Sequence, residues 1–200
     1  MNERELVQKA QAGNFDAFTS LVNANKGKVY ALALKMTGNQ QDAEDIVQET
    51  LIKAIDKIEQ FRGEASFGTW LYSIALNQSR AHLAKQKQAE LKPIEEYLPT
   101  RAADEFHSAD RHQLFDWKDP HELLENEELR QIMDEVIGQL PYKYREAFLL
   151  RYNEELSIKE IAKIIDESEA STKSRVLRAR LALRDQLARI LEDKYGKEVS

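Results

Sequence analysis

The stretch from Leu156 to Arg184, LSIKEIAKIIDESEASTKSRVLRARLALR, decides the fold of this chain. Ser157 and Glu160 form the S-x-x-E pattern of a capping box, which predicts the start of a helix. A polar turn at 166–168 follows, and then a second helix whose apolar residues recur at steps of three and four: Val176, Ala179, Leu183, Leu187 and Ile190. Two helices joined by a tight turn predict a helix-turn-helix unit.

The second of these helices is strongly basic. Between Ser171 and Arg184 there are five basic residues and no acidic one, although the whole chain has a formal net charge of −6. Hydroxyl and cationic side chains near a helix N-terminus can bind phosphates and base edges. The candidates for DNA contact are Ser171, Thr172, Lys173, Ser174, Arg175 and Arg178. The alternative interpretation is an ordinary amphipathic helix with a solvated arginine face.

The composition of the 200 residues indicates a helical protein. Hydrophobic residues make up 42% of the chain, enough for a buried core, and there are only 7 glycines and 4 prolines. No apolar run reaches the roughly 18 residues of a membrane helix, and the first residues lack the apolar core of a signal peptide. Because cysteine is absent, disulfides and thiolate chemistry are excluded. We expect an all-α cytoplasmic protein without membrane insertion.

The acidity of the chain is concentrated in its middle. Between Pro93 and Glu128 there are eleven acidic residues, three basic residues and three prolines, without a sustained helical period. This composition predicts a flexible acidic linker at residues 93–127, which joins two small helical domains at 1–92 and 128–200. The linker is either a solvated tether with a few docking side chains or an anionic strand that lies in a basic channel of a larger partner.

The first domain contains a helix that begins after Asn39, in the stretch NQQDAEDIVQETLIKAIDKI. Its apolar residues predict one buried face: Ala43, Ile46, Val47, Leu51, Ala54, Ile55 and Ile58. Asp42, Asp45 and Glu49 fall largely outside this face. They form either a solvated acidic surface or a docking surface for a basic partner.

The next stretch, FRGEASFGTWLYSIALNQSRAHLAKQK, has aromatic residues beside cations. The FRG triplet ends the preceding helix, and Ser66 is suited to cap the following one. Aromatic rings stack on unpaired bases while cations bind phosphates, so Phe61, Arg62 and Trp70 suit single-stranded nucleic acid. The alternative is that Phe67 and Trp70 only fill a small helical core.

Together, DAEDIVQET, FRGEASFGTWLYSIALN and LPYKYREAFLLRYNEELSIKEIAKIIDESEASTKSRVLRAR, separated by the acidic linker, resemble the extracytoplasmic-function (ECF) sigma factors of bacterial RNA polymerase. The resemblance covers roughly residues 5–90 and 125–190. It implies a protein that directs core polymerase to specific promoters and initiates transcription by recognising −10 and −35 elements. The implied partners are the β and β′ subunits of core RNA polymerase, promoter DNA and an anti-sigma factor.

The resemblance also implies roles for individual residues. One set corresponds to positions that bind the clamp helices of the β′ subunit: Asp42, Asp45, Gln48 and Glu49. A second set corresponds to the segment that opens and reads the −10 element: Phe61, Arg62, Ser66, Thr69, Trp70, Asn77 and Arg80. A third set lies on the helix that reads the −35 element: Ser171, Thr172, Lys173, Ser174, Arg175, Leu177 and Arg178. The linker corresponds to the segment that passes through the polymerase cleft and RNA exit channel.

The chain departs from the family pattern at three positions. Ser73 stands where many members carry Arg, Asp166 where Gly is frequent, and Thr172 where Val is common. Because Asp tolerates turn geometry, we still expect the turn at Asp166 to form.

Promoter opening requires a way to hold an unpaired base. We expect the loop from Phe61 to Ser66 to line a pocket for a base flipped out of the duplex. Asn77 lies two helical turns after Trp70, so both residues are expected to border that pocket.

Other functions are open at this point. A stand-alone helix-turn-helix regulator would bind DNA without polymerase, but the sequence indicates no ligand or phosphorylation domain. An enzyme has little support, since there is no glycine-rich phosphate loop and the histidines lack metal-site spacing with carboxylates: His82, His107, His112 and His121. An interaction scaffold would not need the arginine-rich helix. We expect no catalytic residue, metal or cofactor.

Overall fold

The computed structural model describes residues 2–86 and 127–195, and every regular element in these two ranges is helical. The helices are α1 (Glu3–Gln11), α2 (Phe15–Thr37), α3 (Gln40–Lys57), α4 (Phe67–Gln86), α5 (Glu127–Gln139), α6 (Tyr142–Tyr152), α7 (Ile158–Ile165) and α8 (Glu169–Tyr195), with a 3-10 helix at Ile58–Gln60. The all-α prediction is confirmed over these residues. Except for Glu127, the predicted linker lies outside them. No helix among them combines the length and apolarity needed to cross a membrane.

The N-terminal module, α1–α4, is built around the 23-residue helix α2. Asparagine side chains cap three of its helices. Asn39 Oδ1 accepts a hydrogen bond from Asp42 N at 3.1 Å, so α3 begins after Asn39 as predicted. α2 ends at Gly38, whose φ of +71° is a left-handed conformation that glycine adopts without steric cost. Because α1, α3 and α4 all pack on α2, this helix sets the positions of the acidic helix and the aromatic loop.

The buried face of α3 differs from its prediction at one residue. Ala43 and Ala54 are fully buried and Ile46 is 2% exposed, whereas Ile55 is 49% exposed. Each residue turns the helix by about 100°, so Ile55 falls beyond the edge of the contact that buries Ala54. The prediction that Ile55 is buried is therefore wrong. Ile52 is 60% exposed, so α3 presents two isoleucines on its outer surface.

The C-terminal module, α5–α8, contains the predicted helix-turn-helix in α7 and α8. Ser157 Oγ accepts from Glu160 N at 3.3 Å, and Ser157 N donates to Glu160 Oε2 at 2.9 Å, which completes the capping box. Asp166 ends α7 with a φ of +55°, a left-handed geometry that Asp tolerates better than most residues. The apolar stripe of α8 faces the core, since Val176, Ala179, Leu183 and Leu187 are buried.

The two modules pack against each other. α2 contacts α5 and α6, α4 contacts α7, and buried apolar residues of both modules form one continuous cluster. The Arg145 guanidinium of α6 donates to Met36 O at 2.6 Å, to Leu140 O at 2.9 Å and to Gly138 O. These carbonyls lie at the C-terminal ends of α2 and α5, where the helix dipoles favour a cation. Burial lowers the pKa of Arg145. Through these hydrogen bonds its guanidinium joins the two modules.

Replacing Ser157 with Ala should destabilise the helix-turn-helix, because the first amides of α7 lose their side-chain acceptor. The expected loss in the free energy of unfolding is about 0.5–2 kcal/mol, measured by urea titration with circular dichroism. Hydrogen bonds from Ser157 lower the pKa of Glu160, so Glu160 should titrate at higher pH in the variant. Exposed Ser174→Ala is the control, and an equal loss there would contradict the capping explanation.

Candidate nucleic-acid and protein interfaces

The outer face of α8 presents cations and hydroxyls near the helix N-terminus. Lys173, Ser174 and Arg178 are exposed, and Ser171 and Leu177 are half-buried beside them. The first turn is held by Ser168, whose Oγ accepts from Ser171 N at 3.1 Å. In helix-turn-helix units the N-terminal residues of the second helix contact base edges. This face therefore has the position and the charge that a DNA-reading surface needs.

Thr172 does not belong to this exposed face. Its side chain is fully buried, and its Oγ1 donates to Ser168 O at 2.9 Å. A buried hydroxyl whose proton is already donated within the helix has no free donor for a base or phosphate. The structure thus gives Thr172 a packing role under the surface instead of the predicted DNA contact. Members of the family that the chain resembles often carry Val at this position, and a buried position suits an apolar side chain.

Arg80 and Arg175, one from each predicted DNA-binding surface, share a single carboxylate. Arg80 Nε donates to Glu146 Oε2 at 2.8 Å, and Arg175 Nη1 lies 3.5 Å from Glu146 Oε1. Glu146 is 1% exposed, and Arg175 also pairs with Glu167. Burial raises the pKa of Glu146, and the two arginines oppose this shift. The cluster connects α4 of the N-terminal module with α6 and α8 of the C-terminal module.

Three aromatic rings cluster at the start of α4. The ring centroids of Phe61 and Trp70 are 5.1 Å apart, and those of Phe67 and Trp70 are 5.5 Å apart. Phe67 is fully buried and Phe61 is 8% exposed, so both rings fill the core. Trp70 is half-buried and keeps part of its ring at the surface. Core packing therefore accounts for Phe67, while base stacking stays a prediction for Trp70 and for the edge of Phe61.

The loop before α4 contains an exposed cation and the hydroxyl that caps the helix. Arg62 is exposed. Ser66 Oγ accepts from Thr69 N at 3.0 Å, which caps α4 as the sequence predicted. Thr69 is 7% exposed, and its Oγ1 lies 2.8 Å from Ser66 Oγ. The two hydroxyls hold the helix start together, while the Arg62 side chain is accessible to a ligand.

A cleft of about 640 Å³ separates this loop from α7. Arg62, Trp70 and Ser73 contribute to one wall, and Lys159 and Lys163 of α7 contribute to the other. No motif in the sequence marks these lysines as part of a site. The C-terminal module therefore covers part of the surface predicted to bind the −10 element.

Asn77 and Arg80 lie further along α4. Asn77 is exposed, and its Oδ1 accepts from Arg80 Nη1 at 3.1 Å. The helical spacing of Asn77 and Trp70 predicts that both border one pocket. The residues that line the cleft include Trp70 but not Asn77, so the structure does not bring these two side chains to the same cavity.

The outer face of α3 is a separate, acidic surface. Three of its predicted partner-binding residues are exposed: Asp45, Gln48 and Glu49. Asp42 is partly covered, with its Oδ1 3.1 Å from His82 Nε2 of α4. The exposed Ile52 and Ile55 share the outer face with these residues. Carboxylates around apolar side chains suit a protein partner with both basic and apolar groups.

Two protein families match the chain in the order of its modules. Sigma-70 region 2 matches residues 21–89, and Sigma-70 region 4 matches residues 130–183. The first range runs from α2 through α4, and the second contains the helix-turn-helix.

Similar proteins match over nearly the whole chain. The RNA polymerase sigma-H factor of Pseudomonas aeruginosa is 32% identical over 96% of each chain. The ECF RNA polymerase sigma factor SigW of Bacillus subtilis is 34% identical over 92% of this chain and 96% of its own. The ECF RNA polymerase sigma-E factor of Escherichia coli is 36% identical over 92% of this chain and 93% of its own.

Two solved structures share the fold. CnrH, in complex with the cytosolic domain of CnrY, superposes with a TM-score of 0.62 at 25% identity over 93% of this chain and 97% of its own. The sigma factor RpoE of Bartonella quintana, in complex with the anti-sigma factor NepR, superposes with a TM-score of 0.60 at 21% identity over 86% of this chain and 96% of its own.

Replacing Arg80 with Met should loosen the contact between the modules. Glu146 then loses its bond to α4, while Arg175 still supplies a counter-charge that keeps the C-terminal module folded. Breaking a fully buried pair costs about 3–5 kcal/mol. Because Arg80 is 26% exposed, we expect a smaller cost, about 1–3 kcal/mol.

Cross-linking between two introduced cysteines measures this contact. Because the chain has no cysteine of its own, only the introduced pair reacts. Lys35 Nζ and Asp134 Oδ1 lie 3.8 Å apart across the modules, so a K35C/D134C chain should react rapidly with a short bis-maleimide. The R80M change should slow this reaction. The control is Arg151→Met, which removes an arginine that donates to Leu156 O within its own module. An equal rate in the R80M chain and the control would show that Arg80 does not hold the modules together.

Proposed function

The chain belongs to the extracytoplasmic-function sigma factors, the promoter-specificity subunits of bacterial RNA polymerase, and we propose that its two modules divide this function between them. The N-terminal module, within residues 1–92, binds core polymerase and the −10 element. The C-terminal module, within residues 128–200, binds the −35 element, and the acidic residues 93–127 link the two. The observation that carries the proposal is the match of sigma-70 regions 2 and 4 to the two helical modules in this order.

The outer face of α3 is the proposed docking surface for the β′ subunit. Its support is the exposure of Asp45, Gln48 and Glu49 next to two exposed isoleucines. Asp42 contributes at the edge of this surface, where it also pairs with His82. Charge complementarity with a basic partner would fix the orientation of the sigma factor on the polymerase.

The outer face of α8 is the proposed −35 reader. Lys173, Ser174 and Arg178 are exposed there, with Ser171 and Leu177 at its margin. Arg175 must exchange its bond with Glu146 or Glu167 for a contact with DNA, or it positions the helix through these carboxylates. Each good bidentate contact between arginine and a base contributes about 1–3 kcal/mol of discrimination.

The loop before α4, with Trp70, Asn77 and Arg80, is the proposed −10 surface. The cleft wall formed by α7 covers part of it, and Arg80 is bound to Glu146. Because Arg80 already donates to Glu146 and to Asn77 Oδ1, a DNA phosphate would have to compete with these acceptors. We therefore propose that the modules separate before the −10 element is bound.

The family membership supports three further assignments. Sigma factors are specificity subunits without catalysis of their own, and we propose that this chain acts without a cofactor or active site. A polymerase subunit acts on chromosomal DNA, so we propose a cytoplasmic location. We also propose that an anti-sigma protein regulates the chain, as in many members of the family.

Run-off transcription tests the proposed function directly. Core RNA polymerase should produce specific transcripts from an ECF-type promoter only when this chain is added. A chain that binds and represses the promoter without polymerase would instead support the stand-alone regulator.

Changing Asp45 and Glu49 to Lys should prevent assembly with core polymerase, since like charges across an interface cost several kcal/mol. The fold should survive, because both side chains are exposed. Co-purification with core polymerase measures assembly. The control is E135K/E155K, which makes the same charge change at exposed sites of the C-terminal module. If both variants assembled at wild-type yield, the α3 carboxylates would be a solvated acidic surface that does not bind the polymerase.

Replacing Arg178 with Ala should weaken holoenzyme binding at promoters that depend on the −35 element. A loss of about 1–3 kcal/mol is expected if the guanidinium reads a base, measured by titration of a labelled promoter at fixed salt. Arg184→Ala is the matched control, because it removes another exposed arginine from α8, one that pairs with Asp185. Equal effects of the two changes would contradict a specific role for Arg178.

A further inference from the structure

Arg175 lies at the border between the buried and the exposed faces of α8. Its side chain is 21% exposed, whereas Thr172 and Ala179 are fully buried and Ser174 is exposed. Each residue turns an α-helix by about 100°, so Arg175 is much closer in helical position to Thr172 and Ala179 than Ser174 is. The side chain of Arg175 therefore leaves the helix beside the core and not at the centre of the exposed face.

The guanidinium of Arg175 contacts two carboxylates from other parts of the C-terminal module. It donates to Glu167, which lies in the turn between α7 and α8 and is 31% exposed. Its Nη1 also lies 3.5 Å from Oε1 of Glu146 on α6, a side chain that is 1% exposed. One side chain thus joins α6, the turn and α8, and these contacts fix the direction of α8 relative to α6.

A contact between Arg175 and a base would leave both carboxylates without this cation. Removing one partner of a buried ion pair costs more than a good contact to a base contributes. In the structure Arg80 also neutralises Glu146, but Arg80 leaves this carboxylate when the modules separate as proposed above. Among the residues that the structure describes, Arg175 is then the cation that remains within salt-bridge distance of Glu146. The separated chain therefore needs Arg175 at Glu146 more than the closed chain does.

We propose that Arg175 is a positioning residue for promoter recognition and does not read a base itself. It holds α8 at the angle at which Lys173, Ser174 and Arg178 reach the −35 base pairs. Because it also neutralises Glu167, it reduces the repulsion between the turn and DNA phosphates. The inference rests on the proposed function of α8 as the −35 reader, and it replaces the base contact that the sequence predicts for Arg175.

Three roles for Arg175 would change promoter discrimination in three different ways. If Arg175 read a base, its removal would lower discrimination at a single −35 base pair. If it only stabilised the fold, its removal would lower the amount of active holoenzyme and leave every ratio of affinities between promoters unchanged. If it positions α8, its removal displaces several reading side chains together, so discrimination falls at several base pairs.

The test assembles the Arg175→Met chain with core polymerase and measures its affinity for labelled promoters at fixed salt. The reference promoter is the one that the wild-type holoenzyme selects from a library randomised at the −35 element, and each of its −35 base pairs is then changed in turn. A mismatched base pair in a recognised site typically lowers affinity about 5- to 150-fold. We expect this discrimination to fall about fivefold or more at two or more base pairs in the variant.

Two further arginine variants calibrate this measurement. Arg178→Met is the comparison for a base reader, and its loss of discrimination should be confined to one base pair. Arg184→Met is the matched control, because it removes an exposed arginine of α8 that pairs with Asp185. Its discrimination profile should equal that of the wild type.

Glu167→Gln tests the same role without removing a partner from the buried Glu146. It keeps the size of the side chain and removes its charge, so we expect a smaller loss of discrimination at the same base pairs. This variant also provides the test if circular dichroism shows that the Arg175→Met chain does not fold.

The outcomes separate this inference from the proposed function. Loss at several base pairs in Arg175→Met, or in Glu167→Gln if the first variant does not fold, supports positioning. Loss at a single base pair in Arg175→Met, with Glu167→Gln equal to the wild type, would overturn it in favour of base reading. Unchanged ratios in both variants would also overturn it, because Arg175 would then only stabilise the fold. A wild-type holoenzyme that prefers no −35 sequence would refute the proposed function of α8, and this inference with it.

Discussion

The arrangement of the two modules depends on one buried carboxylate, that of Glu146. A carboxylate at 1% exposure is costly to bury unless cations and hydrogen bonds replace its lost hydration. Arg175 supplies one cation from within the C-terminal module, but Arg80 comes from α4 of the N-terminal module. The complete set of partners therefore exists only while the modules are in contact. Arg145, bound to the end of α2, adds a second polar link across the same contact.

This contact affects the two proposed DNA-binding surfaces unequally. The proposed −35 surface on α8 stays exposed, whereas part of the proposed −10 surface faces α7 across the cleft, and Arg80 is bound to Glu146. Phosphate contacts supply most of the affinity of non-specific DNA binding. A chain of net charge −6 whose proposed −10 surface is partly covered should bind DNA poorly by itself. Core polymerase would then supply the missing affinity for DNA, and binding to it would separate the modules.

Local patterns made part of this structure predictable from the sequence. The capping box of α7, the turn at Asp166 and the apolar stripe of α8 each depend on residues within a few positions of one another. The pair of Arg80 with Glu146 joins residues 66 positions apart, and no local pattern identifies that partner. Likewise, the exposure of Ile55 and the burial of Thr172 depend on how neighbouring helices pack, which periodicity alone does not determine.

Locking the modules together measures most directly whether they must separate for function. A cleavable bis-maleimide would join the cysteines of the K35C/D134C chain, which has no other cysteine, and the locked protein would be added to core polymerase in run-off transcription. Single-cysteine chains treated with the same reagent are the control. We expect the locked chain to give no promoter-specific transcript and to regain activity when the linker is cleaved. Full transcription by the locked chain would contradict the account, because the −10 surface would then function while α7 still covers it.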